Sequence, residues 1–167
     1  AIDRFISLHP ADKSMPYVLY LKGLCYFEQI DRVYLDQNPS KNTKKVFEEL
    51  VKKFPNSTYS KDAKKKILIA NDQLAAKEMT VGRYYQQKNK HLAAIERFKV
   101  VINNYNTTAQ IPEALYRLTE SYLSLGIITE AKKTTAVLSY NFKESDWYKL
   151  SYDLYRKYGY KKNGKQG

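Results

Sequence analysis

The chain has 167 residues, 43% of them hydrophobic, with only six Gly and five Pro, a composition that supports one packed architecture with long helices and excludes both a disordered chain and two enzymatic domains. Lys and Arg outnumber Asp and Glu by 29 to 17, a net charge of +12, which favours an acidic partner, a nucleic acid or an anionic lipid surface. No apolar run approaches the ~20 residues that a membrane-crossing helix needs.

In chain order, Ala1-Ile2-Asp3-Arg4-Phe5 reads as the middle of an amphipathic helix with no initiator Met and no leader before it, so the sequence is expected to begin inside a larger protein. A helix over Pro16 to Ile30 follows. It carries the single cysteine, Cys25, whose neighbours Leu24, Tyr26 and Phe27 point to a buried structural thiol, and one cysteine excludes an internal disulfide and a multi-thiolate metal site. Asp31 to Asn42, with the turn formers Asn38-Pro39, reads as a long inter-helix loop before a helix over Thr43 to Phe54. No breaker stands between Pro55 and Gly82, which predicts one long helix from about Ser57 to about Gln87, on the order of 45 Å at ~1.5 Å per residue. The remaining helices are predicted at His91 to Asn104, Ile111 to Leu125, Thr129 to Ser139 and Ser145 to Tyr158, leaving a basic, disordered tail over 159–167 after a helical-repeat domain over 1–158. Ser57, Thr107 or Thr108, Thr129 and Ser145 stand where a side-chain oxygen can cap a helix start. Pro16 and Pro112 fall at helix entries, where a missing amide hydrogen costs nothing.

The chain also repeats itself. Ala1-Ile2-Asp3-Arg4-Phe5 returns as Ala94-Ile95-Glu96-Arg97-Phe98. Tyr85 stands three residues after Gly82, Ala94 nine after Tyr85, and Phe98 four after Ala94, the intervals of a tetratricopeptide repeat. The physical reason is packing: a small residue at Gly82 lets two antiparallel helices approach, and Phe98 fills the facing surface. Leu118, Thr119 and Tyr122 repeat the first-helix pattern, with Thr135 in place of the aromatic; Gly23 and Tyr26 supply a third copy, and Thr43 to Phe47, with Pro55 eight residues after the Phe, a fourth second helix. The expected fold is therefore all-α, a helical-hairpin solenoid of tetratricopeptide type whose copies are unevenly spaced.

Three stretches narrow the resemblance. Lys52 to Ala63, with Phe54-Pro55-Asn56-Ser57 and Tyr59 ahead of the long helix, Tyr17 to Leu24, and Ala75 to Tyr85 resemble, in order and spacing, the BamD family of outer-membrane assembly lipoproteins, a likeness that extends to about Tyr140. The resemblance implies a periplasmic protein held to the inner leaflet of the outer membrane by a lipid anchor. It implies as partners the periplasmic domains of BamA, other subunits of the assembly complex and unfolded outer-membrane proteins. From the residues themselves no cofactor, no metal and no nucleic acid are expected. Against the family pattern, the first repeat and the anchor are missing, and the stretch from Asn141 onward departs from it.

In stacked hairpins the first helix of each repeat lines the binding wall. Its non-core positions are Tyr17, Tyr20, Leu24 and Phe27, then Arg83 and Gln86, then Tyr116, Glu120 and Leu123. The bland reading of Tyr17, Leu24 and Phe27 is ordinary core packing, and Trp147 reads as a packing residue of the last helix. Catalytic patterns are missing from the sequence: His9 and His91 form no metal-spaced pair, and adjacent Glu48 and Glu49 point to different helix faces. A generic helical-repeat adaptor or a basic nucleic-acid binder is the alternative in a different class.

Overall fold

The computed structural model describes residues 1–30 and 36–163, with side chains to Tyr158. Within them the chain is helical throughout: α1 Ile2–Leu8, α2 Met15–Phe27, α3 Asn38–Lys53, α4 Thr58–Gln87, α5 His91–Asn104, α6 Ile111–Ser124, α7 Ile128–Asn141 and α8 Asp146–Asn163. No described helix is long and apolar enough to cross a membrane. Packing divides the chain into two compact units, the first ending at Leu74 and the second beginning at Ala75.

One junction recurs four times. His9, Phe54, Tyr105 and Phe142 each end a helix with φ of −131°, −132°, −132° and −139°, and each amide donates to the carbonyl four residues back. Three residues on, the amides of Asp12, Ser57, Thr108 and Ser145 return to those aromatic residues' carbonyls, and the amides of Met15, Ser60, Ile111 and Tyr148 bond to the carbonyls of those four in turn. Each ladder satisfies carbonyls a helix end leaves open. The aromatic positions are 45, 51 and 37 residues apart. The widest gap contains α4, whose 30 residues give a helix of about 45 Å, long enough for its first half to complete one core and its second half to open another. The predicted span of the long helix thus holds to within a residue at its start.

The small-and-aromatic interlock also holds. A Cβ on Gly82 would overlap the Phe98 ring, and one on Gly23 would overlap the Phe47 ring; both rings are fully buried. Gly82 and Phe98 are 16 residues apart, as are Thr119 and Thr135. In that third hairpin hydroxyls replace the aromatic plug: Thr135 Oγ1 and Ser151 Oγ are 2.9 Å apart, and Ser151 Oγ donates to Thr119 Oγ1 at 3.1 Å. Ser151 comes from α8, which packs on α6 and α7 in place of the missing ring. The first unit's core gathers Met15, Leu19, Phe47, Leu50 and Ala63, and the second unit's gathers Met79, Ala94, Phe98, Leu115, Leu118 and Leu138 among others.

Several expectations are corrected. α3 begins at Asn38 rather than Thr43, because Pro39 sits in the first helical turn, where its fixed φ suits a start as well as a turn; residues 31–35 of the expected loop lie outside the described residues. Thr129 is not a cap, since α7 starts at Ile128 on an Ile127 N-cap. Thr108 turns its hydroxyl to donate 2.8 Å to the Tyr105 carbonyl instead of accepting from an amide, whereas Ser57 and Ser145 do accept, from Tyr59 and Trp147, each at 3.2 Å. Cys25 is exposed, because the buried stripe of α2 runs through Met15, Leu19 and Gly23 and Cys25 lies roughly 200° round the helix from Gly23 at ~100° per residue. α8 continues to Asn163, past the expected end at Tyr158, and 164–167 lie outside the described residues.

Thr43 occupies the position held by Ala94 and Ala131 in the later hairpins, and its buried hydroxyl has no hydrogen-bond partner. Thr43→Ala removes an unsatisfied group worth ~1–3 kcal/mol and improves helix propensity, against the loss of one packed methyl. Urea unfolding is expected to show unchanged or slightly higher stability, where a buried polar-to-Ala change normally lowers it.

Candidate functional site

The nine wall residues fall into two groups, one in each unit. In the first unit Tyr17 is exposed and its ring lies 5.5 Å from that of Tyr59, which in turn lies 5.3 Å from Tyr20. Tyr20, Leu24 and Phe27 are half-buried against the core, so α2 presents a wall whose base is structural and whose rim is open. The Tyr20 hydroxyl donates to Asp62 Oδ2 at 2.5 Å, and Lys66 reaches the same carboxylate at 3.1 Å while its ammonium stands 4.9 Å from the Phe27 ring centroid. The hydrogen bond to Asp62, with burial and the Asp62 charge, pushes the Tyr20 phenol up to about 12. The same bond and Lys66 hold Asp62 below the usual carboxylate range.

In the second unit Arg83, Gln86, Tyr116 and Glu120 converge on one network. Arg83 Nη1 donates to Glu113 Oε1 at 2.9 Å, and Arg117 Nε reaches the same oxygen at 3.3 Å. Arg117 Nη1 donates to Glu120 Oε2 at 2.9 Å, the Tyr116 hydroxyl donates to Glu120 Oε1 at 2.9 Å, and Gln86 Nε2 reaches Glu120, Ser121 and the Arg117 carbonyl at 3.1–3.2 Å. Burial, then the Glu120 charge and hydrogen bond, push Tyr116 up to about 12. Burial opposes the Arg117 charge, yet Glu120 and Glu113 outweigh it and hold the guanidinium protonated above its ordinary value. The Tyr116 and Trp147 rings meet at a tilt of 37° with centroids 5.4 Å apart, and Arg117 lies over both rings. The core packing read for Trp147 is therefore found, shared with this network. Leu123 lies at the edge of this network, lining with Glu120, Ser124, Leu154 and Tyr158 a cavity of about 240 Å³.

The sequence reading missed Tyr59, Asp62 and Lys66 in the first unit and Glu113 and Arg117 in the second. The i,i+4 spacings Asp62–Lys66 and Glu113–Arg117 were the available signal. Chemically, each wall is a tyrosine-bearing surface with its charges already paired. Two carboxylates, Glu113 and Glu120, face two guanidiniums, so the second wall is near neutral despite the basic chain. Among the described residues no group of three or more His, Cys, Asp or Glu side chains is placed to hold a metal ion.

The two high phenols give a pH prediction. Their folded-state values stand at about 12 against an ordinary 10.0, so the folded chain keeps protons that the unfolded chain loses. That stabilisation is full below the ordinary phenol value and is lost as pH rises through the folded values. Phenolate absorbance is expected to show Tyr20 and Tyr116 titrating late, beside Tyr105, which burial also raises, and Tyr20→Phe and Tyr116→Phe should each shrink the late phase and flatten the alkaline loss of stability. Both variants leaving the late phase intact would contradict the assignment.

Comparison of the sequence with known proteins points to one family. The profile of YfiO, described as an outer membrane lipoprotein, matches residues 1–138. The outer membrane protein assembly factor BamD of Caulobacter vibrioides is 49% identical over 152 residues, covering 91% of this chain and 50% of that protein. The BamD of Rickettsia prowazekii is 48% identical over 157 residues, covering 94% and 62%, and that of Neisseria meningitidis serogroup A is 37% identical over 156 residues, covering 87% and 58%. The chain thus spans between 50% and 62% of the length of these curated relatives. With its profile matched from the first helix into α7 and its identity near one half across nine-tenths of the chain, the chain belongs to the YfiO family of outer membrane lipoproteins, which includes the BamD assembly factors.

Proposed function

We propose that this chain is the helical-repeat part of a non-enzymatic scaffold subunit in the machinery that assembles β-barrel proteins into the outer membrane. Its walls bind the periplasmic domains of BamA and receive targeting segments of unfolded outer-membrane proteins. The observation that carries this reading is the 49% identity over 91% of the chain to a protein named as an outer membrane protein assembly factor. Membership in an outer-membrane lipoprotein family puts its place of action at the outer membrane, on the periplasmic face. The wall chemistry supports the reading: half-buried tyrosines give large contact area at low entropic cost, and pre-paired charges such as Arg83–Glu113 orient polar groups before a partner arrives.

The chain immobilised and offered BamA's periplasmic domains together with duplex DNA is expected to retain the former. Recovery of DNA alone, with an affinity that falls steeply with salt, would reject the scaffold in favour of a basic nucleic-acid binder. Within the scaffold reading, Tyr116→Ala with Glu120→Ala should weaken retention by roughly tenfold or more, because aromatic anchors dominate such interfaces.

A further inference from the structure

Two turns of the second unit present side chains that helix packing does not use. Lys88-Asn89-Lys90 joins α4 to α5, and Leu125-Gly126-Ile127 joins α6 to α7. Both close in the same way. Asn89 and Gly126 take positive φ of 56° and 75°, and the next residues, Lys90 and Ile127, donate their amides to the Tyr85 and Tyr122 carbonyls at 2.9 and 2.8 Å. These paired bonds fix the turns as rigid tips. Turns this short make consecutive helices antiparallel neighbours, which puts the two tips at one edge of the unit and the Tyr105 and Phe142 junctions at the other.

That edge is apolar and basic together. Leu92 is 68% exposed, Tyr84 56%, Leu125 40% and Ile127 38%. The Lys88 ammonium stands 5.9 Å from the Tyr84 ring centroid. Neither turn contains an acidic residue, and Glu130, early in α7, is engaged by Lys133 at 2.6 Å. Apolar side chains on hydrogen-bonded tips, with Lys88 and Lys90 in a turn that holds no acidic residue, are complementary to a lipid interface: the aliphatic groups enter the head-group boundary while ammonium groups meet phosphates. A folded acidic partner would satisfy the lysines but would need its own matching hollows for side chains that project from separate tips.

We propose that this edge docks on an anionic lipid surface, with Leu92, Leu125 and Ile127 entering the interface and Lys88 and Lys90 contacting lipid phosphates. The contact is separate from the scaffold reading and stands or falls without it.

Co-sedimentation of the whole chain with phosphatidylethanolamine vesicles, with and without phosphatidylglycerol, tests the proposal. Binding is expected on the anionic vesicles. Leu92→Ser with Leu125→Ser should lower the partition coefficient by about tenfold or more, and Lys88→Gln and Lys90→Gln by about fivefold each. Lys61→Gln with Lys64→Gln, twice the charge lost in either single variant but on exposed α4 positions of the first unit, should change it less than ~twofold. All these positions are exposed, and unchanged thermal melts establish that the variants fold. No binding, equal loss from the Lys61/Lys64 pair, or undiminished binding of the serine variant overturns the proposal. Capture of an acidic protein by the edge when vesicles are ignored would overturn it too, assigning the edge to a protein partner.

Discussion

Gly82→Val is expected to lower the stability of the second unit by about 3 kcal/mol, with Gly82→Ala lowering it by less. Two effects compete. Replacing a mid-helix glycine removes backbone entropy from the unfolded chain and by propensity alone would add up to ~1 kcal/mol for Ala. Against this, the new Cβ would overlap the buried Phe98 ring, which forces the ring or the helix to move. Phe98 is fully buried and has nowhere to go without displacing α5, so the steric cost, typically ~1–3 kcal/mol and occasionally more, exceeds the propensity gain. Shrinking the ring provides the internal control: Phe98→Leu should be costly alone yet less costly in a Gly82→Ala background. Urea unfolding of the four proteins reads this coupling directly, and additive effects would show that the two residues do not meet.

In the first unit Phe47→Ala is expected to cost ~3–5 kcal/mol, the range for emptying a buried aromatic site. Phe47 is fully buried, covers the Gly23 backbone and lies 5.8 Å from the Tyr20 ring. Its loss opens a cavity and removes the support beneath the Tyr20 wall. The chain's one tryptophan, Trp147, packs in the second unit's core, so two probes separate the units. Circular dichroism should lose helix at lower urea in Phe47→Ala, while the Trp147 fluorescence transition moves less. A loss below ~1 kcal/mol would contradict the packing assigned to Phe47.

What could be read from the sequence follows from which interactions are local. Gly82 and Phe98 sit 16 residues apart at a recurring interval, so one hairpin's interlock was legible, as was α4, since an unbroken stretch between Pro55 and Gly82 has no place to stop. The start of α3 was not, because Pro39 is equally at home in a turn and in a first helical turn. Cys25 misled because apolar neighbours in sequence are not neighbours on a helix; its exposure depends on the phase set by Met15, Leu19 and Gly23. The third hairpin showed Thr135 as an exception, but its compensation by Ser151 of α8 depends on a contact between residues far apart in the chain. The wall followed the same division. Its residue positions came from repeat register, whereas the pairing of Arg83 with Glu113, thirty residues on, exists only once α4 and α6 are packed together.

Hydrogen exchange of the chain with and without BamA's periplasmic domains tests most directly that first helices form the binding wall. Protection should be gained along Met15–Phe27 and Ile111–Ser124, centred on Tyr17 and Tyr116, with little change in α3, α5 and α7. Protection confined to α3, α5 and α7, or no protection at saturating partner, would contradict the account.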